Sequence, residues 1–142
     1  VTYLLSLLVT VASGLRSTTY GWGTGDLHCG DIGHAVECVK GLPTASGEPL
    51  DPNVPQIAIA APTWLRLKSV VIPIRLDGKR CVYVRLVDKM NPRYIGFRGF
   101  DLTPASVKLV GGVSTRHWSG TITVCNQLRY RTKWEVIQWN LK

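Results

Sequence analysis

The stretch Ser69 to Leu76, SVVIPIRL, then Asp77-Gly78, then Lys79 to Val87, KRCVYVRLV, constrains the fold more than any other part of the chain. β-Branched residues dominate the first arm, and Asp-Gly supplies the positive φ that a tight hairpin turn demands. A two-residue β-hairpin is predicted. In the returning arm Cys81, Tyr83, Arg85 and Val87 share one face and Arg80, Val82, Val84 and Leu86 the other, because side chains alternate along a strand. The second face is the candidate interior of a barrel.

An isolated hairpin is marginal in water, so further strands must join it. Candidates are Gln56 to Ala60, Thr121 to Cys125 and Trp134 to Trp139. Eight Pro and fourteen Gly break the chain too often for long helices. The exception is TPASVKLVGG, Thr103 to Gly112, where Thr-Pro signals a helix start and the paired glycines a stop. The sum is a β-rich domain with one short helix or two, which fits a small barrel better than a parallel α/β fold.

With 142 residues, 45% apolar and 18% charged, the chain has the size and balance of a single globular domain. Seventeen Lys and Arg against nine Asp and Glu leave a net charge of +8. Such a field serves solubility or concentrates an acidic partner, for which nucleic acid, anionic lipid and acidic wall polymers all qualify. The basic residues are scattered along strand-like segments and form no dense basic arm, so nucleic acid is not the expected partner. The chain carries no phosphate-cradling Gly-Lys motif, serine-hydrolase elbow or dinucleotide fingerprint, and no cofactor is implied.

Four cysteines, Cys29, Cys38, Cys81 and Cys125, allow three pairings. The favoured one joins Cys29 to Cys38 and Cys81 to Cys125, implying an oxidising compartment, while four reduced, buried thiols are the other arrangement. Cys29, His34 and Cys38 only partly match a zinc knuckle, and this reading ranks below the loop disulfide, so no metal is assigned. The opening VTYLLSLLVTVASG is too short to span a bilayer. Val11 and Ser13 are spaced like the small residues before a signal-peptide cleavage point, but no Lys or Arg precedes the apolar run. The reading preferred is an N-terminal strand or docking segment.

Two segments, TASGEPLDPNVPQIAIAAP (Thr44 to Pro62) and VRLVDKMNPRYIGFRGFDLTPASVKLVGG (Val84 to Gly112), together resemble the RlpA-like and expansin-like double-psi barrel family. The shared features are TASGE, the Ala-Ala strand in IAAP, a strand ending in Asp in VRLVD, and FDLTPAS leading into a helix. Tyr20-Gly21 stands where the family has an aromatic-glycine opening. The likeness covers Thr18 to Gly112. Where the family has Arg-Gly-Pro after the first aspartate this chain has Lys89, Met90, Asn91 and Pro92, and Pro62 stands where a histidine often follows Ala-Ala. These departures bear on catalysis more than on fold.

The resemblance implies an all-β, six-stranded double-psi β-barrel at 18–126 with one or two short helices. Segments 1–17 and 127–142 flank it as extensions, the second basic and Trp-containing. It further implies a protein that engages peptidoglycan or another acidic polysaccharide, as a lytic transglycosylase or as a non-catalytic barrel that binds or loosens glycans; the apolar N-terminal and basic C-terminal segments add the reading of a structural part in a wall-penetrating assembly such as a phage tail. Asp88 would be the general acid/base, assisted by Asp101 and Glu48, and Tyr20, Trp22, Trp64 and Tyr94 would offer platforms to sugar rings. Against these stand plainer roles: Asp88 as a turn or cap residue, Asp101 as the helix-start residue, Glu48 as a loop charge and the aromatics as packing. The implied location is extracytoplasmic, or a virion, with protein neighbours docking on the two end segments.

Overall fold

A computed structural model of the chain describes residues 15–19, 41 and 43–125. They form β1 (Leu15–Thr19), β2 (Gln56–Ala60), β3 (Val70–Leu76), β4 (Val82–Met90), a 3-10 turn (Pro92–Tyr94), β5 (Phe100–Leu102), α1 (Pro104–Val110) and β6 (Ser119–Val124). The strands close into one barrel in the order β1-β5-β2-β4-β3-β6. The expected strand at Trp134 to Trp139 and the expected Cys29–Cys38 bridge lie outside the described residues, as do the first fourteen residues and the last seventeen.

β1 pairs with β5, and β2 with β4, in parallel, whereas the remaining neighbours are antiparallel. Advancing every strand by three, β1 to β4, β2 to β5 and β3 to β6, maps each pairing onto one of the same sense. The barrel is therefore two interlocked three-stranded halves. β5 of the second half lies between β1 and β2 of the first, and β2 lies between β4 and β5. This reciprocal crossing is the double-psi arrangement, and among the described strands it leaves no sheet edge open to another chain.

The predicted hairpin forms, with differences at both ends of its return. The Lys79 amide donates to the Leu76 carbonyl at 2.8 Å across Asp77-Gly78, and Gly78 takes φ +78°. Regular pairing resumes only at Val82, and β4 runs on to Met90, beyond the predicted stop at Val87. The face assigned to the interior is correct from Val82 onward, while Arg80 precedes the strand and is exposed: Val82, Val84 and Leu86 are buried with Ile57 and Ile59 of β2, Ile72 and Ile74 of β3, Phe100 and Leu102 of β5, and Ile122 and Val124 of β6. Ala61, Leu65 and Leu67 join this core from one end of the barrel, and Val107 and Val110 of α1 from the other.

The helix has the ends its sequence predicts. Thr103 is its N-cap, accepting from the Ser106 amide, and Pro104 opens the first turn. Gly111 closes it at φ +93°, a left-handed conformation that costs glycine little. The Thr103 hydroxyl also accepts from the Gln56 amide at 3.1 Å and donates to the Val54 carbonyl at 2.7 Å, while Ser106 donates to the Gln56 carbonyl at 2.8 Å. Buried hydroxyls at the helix start thus satisfy backbone groups at the start of β2, which would otherwise cost free energy in a dry interior.

Cys81 and Cys125 form the expected disulfide, with Cα atoms 6.4 Å apart. It links the start of β4 to the end of β6, the strands that flank β3. Among the described residues, no helix is long and apolar enough to cross a membrane. The bridge closes a sequence separation of 44 residues, for which loop-closure entropy in the unfolded chain amounts to roughly 4 kcal/mol. Cys81→Ser/Cys125→Ser should lower the urea-unfolding free energy by about 2 to 4 kcal/mol. An unchanged midpoint would mean that the bridge only decorates a barrel already closed by its pairing.

Candidate functional site

The site begins with strand register. On β2, Ile57 and Ile59 point into the core, so Ala58 between them faces outward, where it packs on Leu50. Ala58 stands opposite Asp101 of β5 on one side and Asp88 of β4 on the other, and Asp101 stands opposite Thr18 of β1. Residues in register on neighbouring strands project to the same face. Thr18, Asp101, Ala58 and Asp88 therefore make one row across four strands of the outer wall. Two strand spacings put the Cα atoms of the two aspartates about 10 Å apart, with the Ala58 methyl, buried beneath Leu50, between them.

A slip in register is what puts Asp88 in this row. Ile57 pairs with Leu86, but Ala58 pairs with Asp88, so Val87 is an extra residue on β4. Had the alternation run on unbroken through Val87, Asp88 would share the inward face of Leu86 and drive a carboxylate into the core. A bulge changes which face a side chain takes, and here it sends an acid from interior to exterior.

Asp88 is only 6% exposed, because the segment 43–50 lies over it. Thr44 and Gly47 shape that segment: the Gly47 amide donates to the Thr44 carbonyl at 2.9 Å, the Thr44 hydroxyl donates to the Glu48 carbonyl at 2.8 Å, and Gly47 adopts φ +90°. The Ser46 amide reaches the carbonyl of the extra residue Val87 at 2.9 Å. The Ala45 amide donates to Asp88 Oδ1 at 3.0 Å, and the Lys89 amide does so at 2.9 Å. TASGE is thus the covering loop of Asp88. Asp88 belongs to the interior of a strand that ends at Met90, and it closes no turn.

Asp101 is 7% exposed and accepts a short hydrogen bond from the Thr18 hydroxyl. It is not the helix cap, a role that falls to Thr103. Glu48 turns away from the row to Arg85 on β4, with a two-point ion pair in which Arg85 Nε donates to Oε2 at 3.2 Å. It holds the covering loop against the barrel wall. Sequence reasoning missed Arg85 and Thr18 as partners, since 37 and 83 residues separate them from Glu48 and Asp101.

Trp64 follows β2 and Tyr94 follows β4, so both stand at the barrel end and off the row. The guanidinium carbons of Arg93 and Arg98 lie 4.7 and 4.2 Å from the Tyr94 ring centre, over the π surface a sugar would use. Tyr20, Trp22, Cys29 and Cys38 lie outside the described residues.

Removing the Asp88 carboxylate orphans two backbone N–H groups under the covering loop. Asp88→Ala should therefore cost about 2 to 4 kcal/mol in urea unfolding, and Asp88→Asn, which keeps a carbonyl acceptor, less than about 1.5 kcal/mol. Equal losses from both variants would show that those amides are not what the carboxylate stabilises. In comparisons with known proteins, no protein-family model matches the chain, and no curated protein matches it.

Proposed function

We propose that the chain engages a cell-wall polysaccharide, peptidoglycan in particular, and that the outer-wall row is where it does so. The observation that carries this reading is the pairing of Asp88 and Asp101 with the two sides of Ala58, which sets two acids on either side of one small residue. The resemblance to RlpA-like and expansin-like barrels falls on these same residues. The net charge of +8 adds a field that draws an acidic polymer toward the barrel.

In the catalytic form of this proposal the scissile bond runs from the anomeric carbon to the leaving oxygen. A hydroxyl of the same sugar attacks that carbon and loses its proton to an aspartate carboxylate. Protonation of the leaving oxygen by Asp88 completes the exchange, so no water is consumed. Two N–H groups donate to Asp88 Oδ1 and fix the plane of the carboxyl group that would carry the proton. Asp101, held by Thr18, would stabilise positive charge developing on the ring.

A second reading, of a barrel that binds glycan without cutting it, is favoured by the burial of both acids, at 6% and 7% exposure. The Cys81–Cys125 bridge suits either form in an oxidising, extracytoplasmic setting or in a virion. Incubating the full chain with purified peptidoglycan, with mass spectrometry for anhydro-muropeptides and a sedimentation assay for binding, distinguishes them. Catalysis predicts release by wild type and at least about a hundredfold less by Asp88→Asn, the range of general acid/base contributions. Binding without release supports the second reading, and neither binding nor release overturns the proposal.

A further inference from the structure

The barrel end where parallel β2 and β4 finish is crowned by two loops, 61–69 and 91–99. Lys89 Nζ fastens the first by donating to the Leu65 carbonyl at 2.7 Å and the Thr63 carbonyl at 3.0 Å. The Gly99 amide fastens the second to the Arg16 carbonyl at 2.9 Å, which sets the start of β1 beside it. Leu65, Leu67 and Ile95 turn inward onto the core. The residues between them turn out: Arg66, Lys68 and Arg93 are exposed, Trp64 is 66% exposed and Phe97 is 79% exposed.

Phe97 follows Gly96, whose φ of +83° tightens the loop, and its amide returns to the Tyr94 carbonyl at 2.9 Å. Arg93 and Arg98 are gathered on the Tyr94 ring, and Arg93 also donates to the Tyr94 hydroxyl at 2.6 Å. Neither loop contains an Asp or Glu. Large apolar tips ringed by cations, with no acid among them, match the interface of an anionic bilayer, where aromatic rings sit at headgroup depth and Arg and Lys meet phosphates.

We propose that this end of the barrel is a membrane-contact surface that seats Trp64 and Phe97 in the headgroup region of anionic lipid, with Arg66, Lys68, Arg93 and Arg98 on the phosphates. A soluble phosphodiester polymer would match the cations equally. Two features favour lipid. The aromatic tips project from separate loops, and Phe97 offers no hydrogen-bonding group. The thirteen residues Val1 to Ser13, which carry no charged side chain, also lead toward β1, whose start is at this same end. The proposal is independent of the glycan reading, because it uses the barrel end and not the outer-wall row.

The test is co-sedimentation of the full chain with vesicles of equimolar phosphatidylglycerol and phosphatidylcholine, against vesicles of phosphatidylcholine alone. Binding should require phosphatidylglycerol and weaken with added salt. Trp64→Ser/Phe97→Ser should reduce the partition coefficient about tenfold or more, and Arg66→Gln/Lys68→Gln about tenfold. Both double variants change exposed side chains, and an unaltered thermal midpoint would confirm folding. Unchanged vesicle binding by both would overturn the proposal and give the contact to another part of the chain. Binding to soluble teichoic acid or single-stranded DNA without binding to vesicles would overturn it in favour of a polymer.

Discussion

The structure depends first on the placement of β2 between β4, which runs parallel to it, and β5, which runs antiparallel. Sequence neighbours do not make these pairings. β4 begins more than twenty residues after β2 ends, and β5 follows β4 yet pairs with β2 and β1 instead. Closing such contacts costs loop entropy before they return any burial, and the branched aliphatic core shared by β2 through β6 is what offsets that cost. In exchange, β2 brings two distant stretches of chain to either side of a single alanine.

The twofold relation between the halves clarifies why the polar row lies where it does. Under that relation Thr18 on β1 corresponds to Asp88 on β4, and Asp101 on β5 to Ala58 on β2, so the row maps onto itself reversed. The axis passes between Ala58 and Asp101. Both acids come from the second half, Asp88 on β4 and Asp101 on β5, and the first half supplies Thr18 and Ala58 at the matched places, so an asymmetric pair of carboxylates stands on a symmetric frame. One sits under a loop held by Glu48 and Arg85, the other against a threonine hydroxyl.

What the sequence made legible was local. Asp-Gly between two branched runs marked the hairpin, and Thr-Pro with paired glycines marked the helix, because each signal and its effect lie within a few residues. Strand β5 has three residues, too short for an alternation pattern to register, and β1, LRSTT, has one apolar residue before four polar ones; only the resemblance drew attention to FDL. The register slip at Val87 had no signature in VRLVDKM: strict alternation from Leu86 puts Asp88 inside. The ion pair of Glu48 with Arg85 and the capture of Tyr94 by two arginines depend on tertiary placement, so composition pointed to charge and aromatics without showing how they are spent.

The same carboxyl group serves stability and any chemistry at Asp88, and this limits how the site can work. Two backbone amides fix Oδ1 and with it the plane of the carboxyl group. A carboxyl held this way loses little orientational entropy in meeting a substrate, which favours a positioned proton donor. Yet the covering loop that supplies one of those amides is also what hides the acid. Ala58, between the two acids, is itself 2% exposed beneath Leu50 of the same segment. A glycan must therefore displace 43–50 to meet the row, and displacement would break the Ala45 bond, the Ser46 bond to Val87 and the hold of Glu48 on Arg85 together. The geometry thus makes movement of this one segment, and not the size of residue 58, the feature that decides whether a sugar can reach the acid.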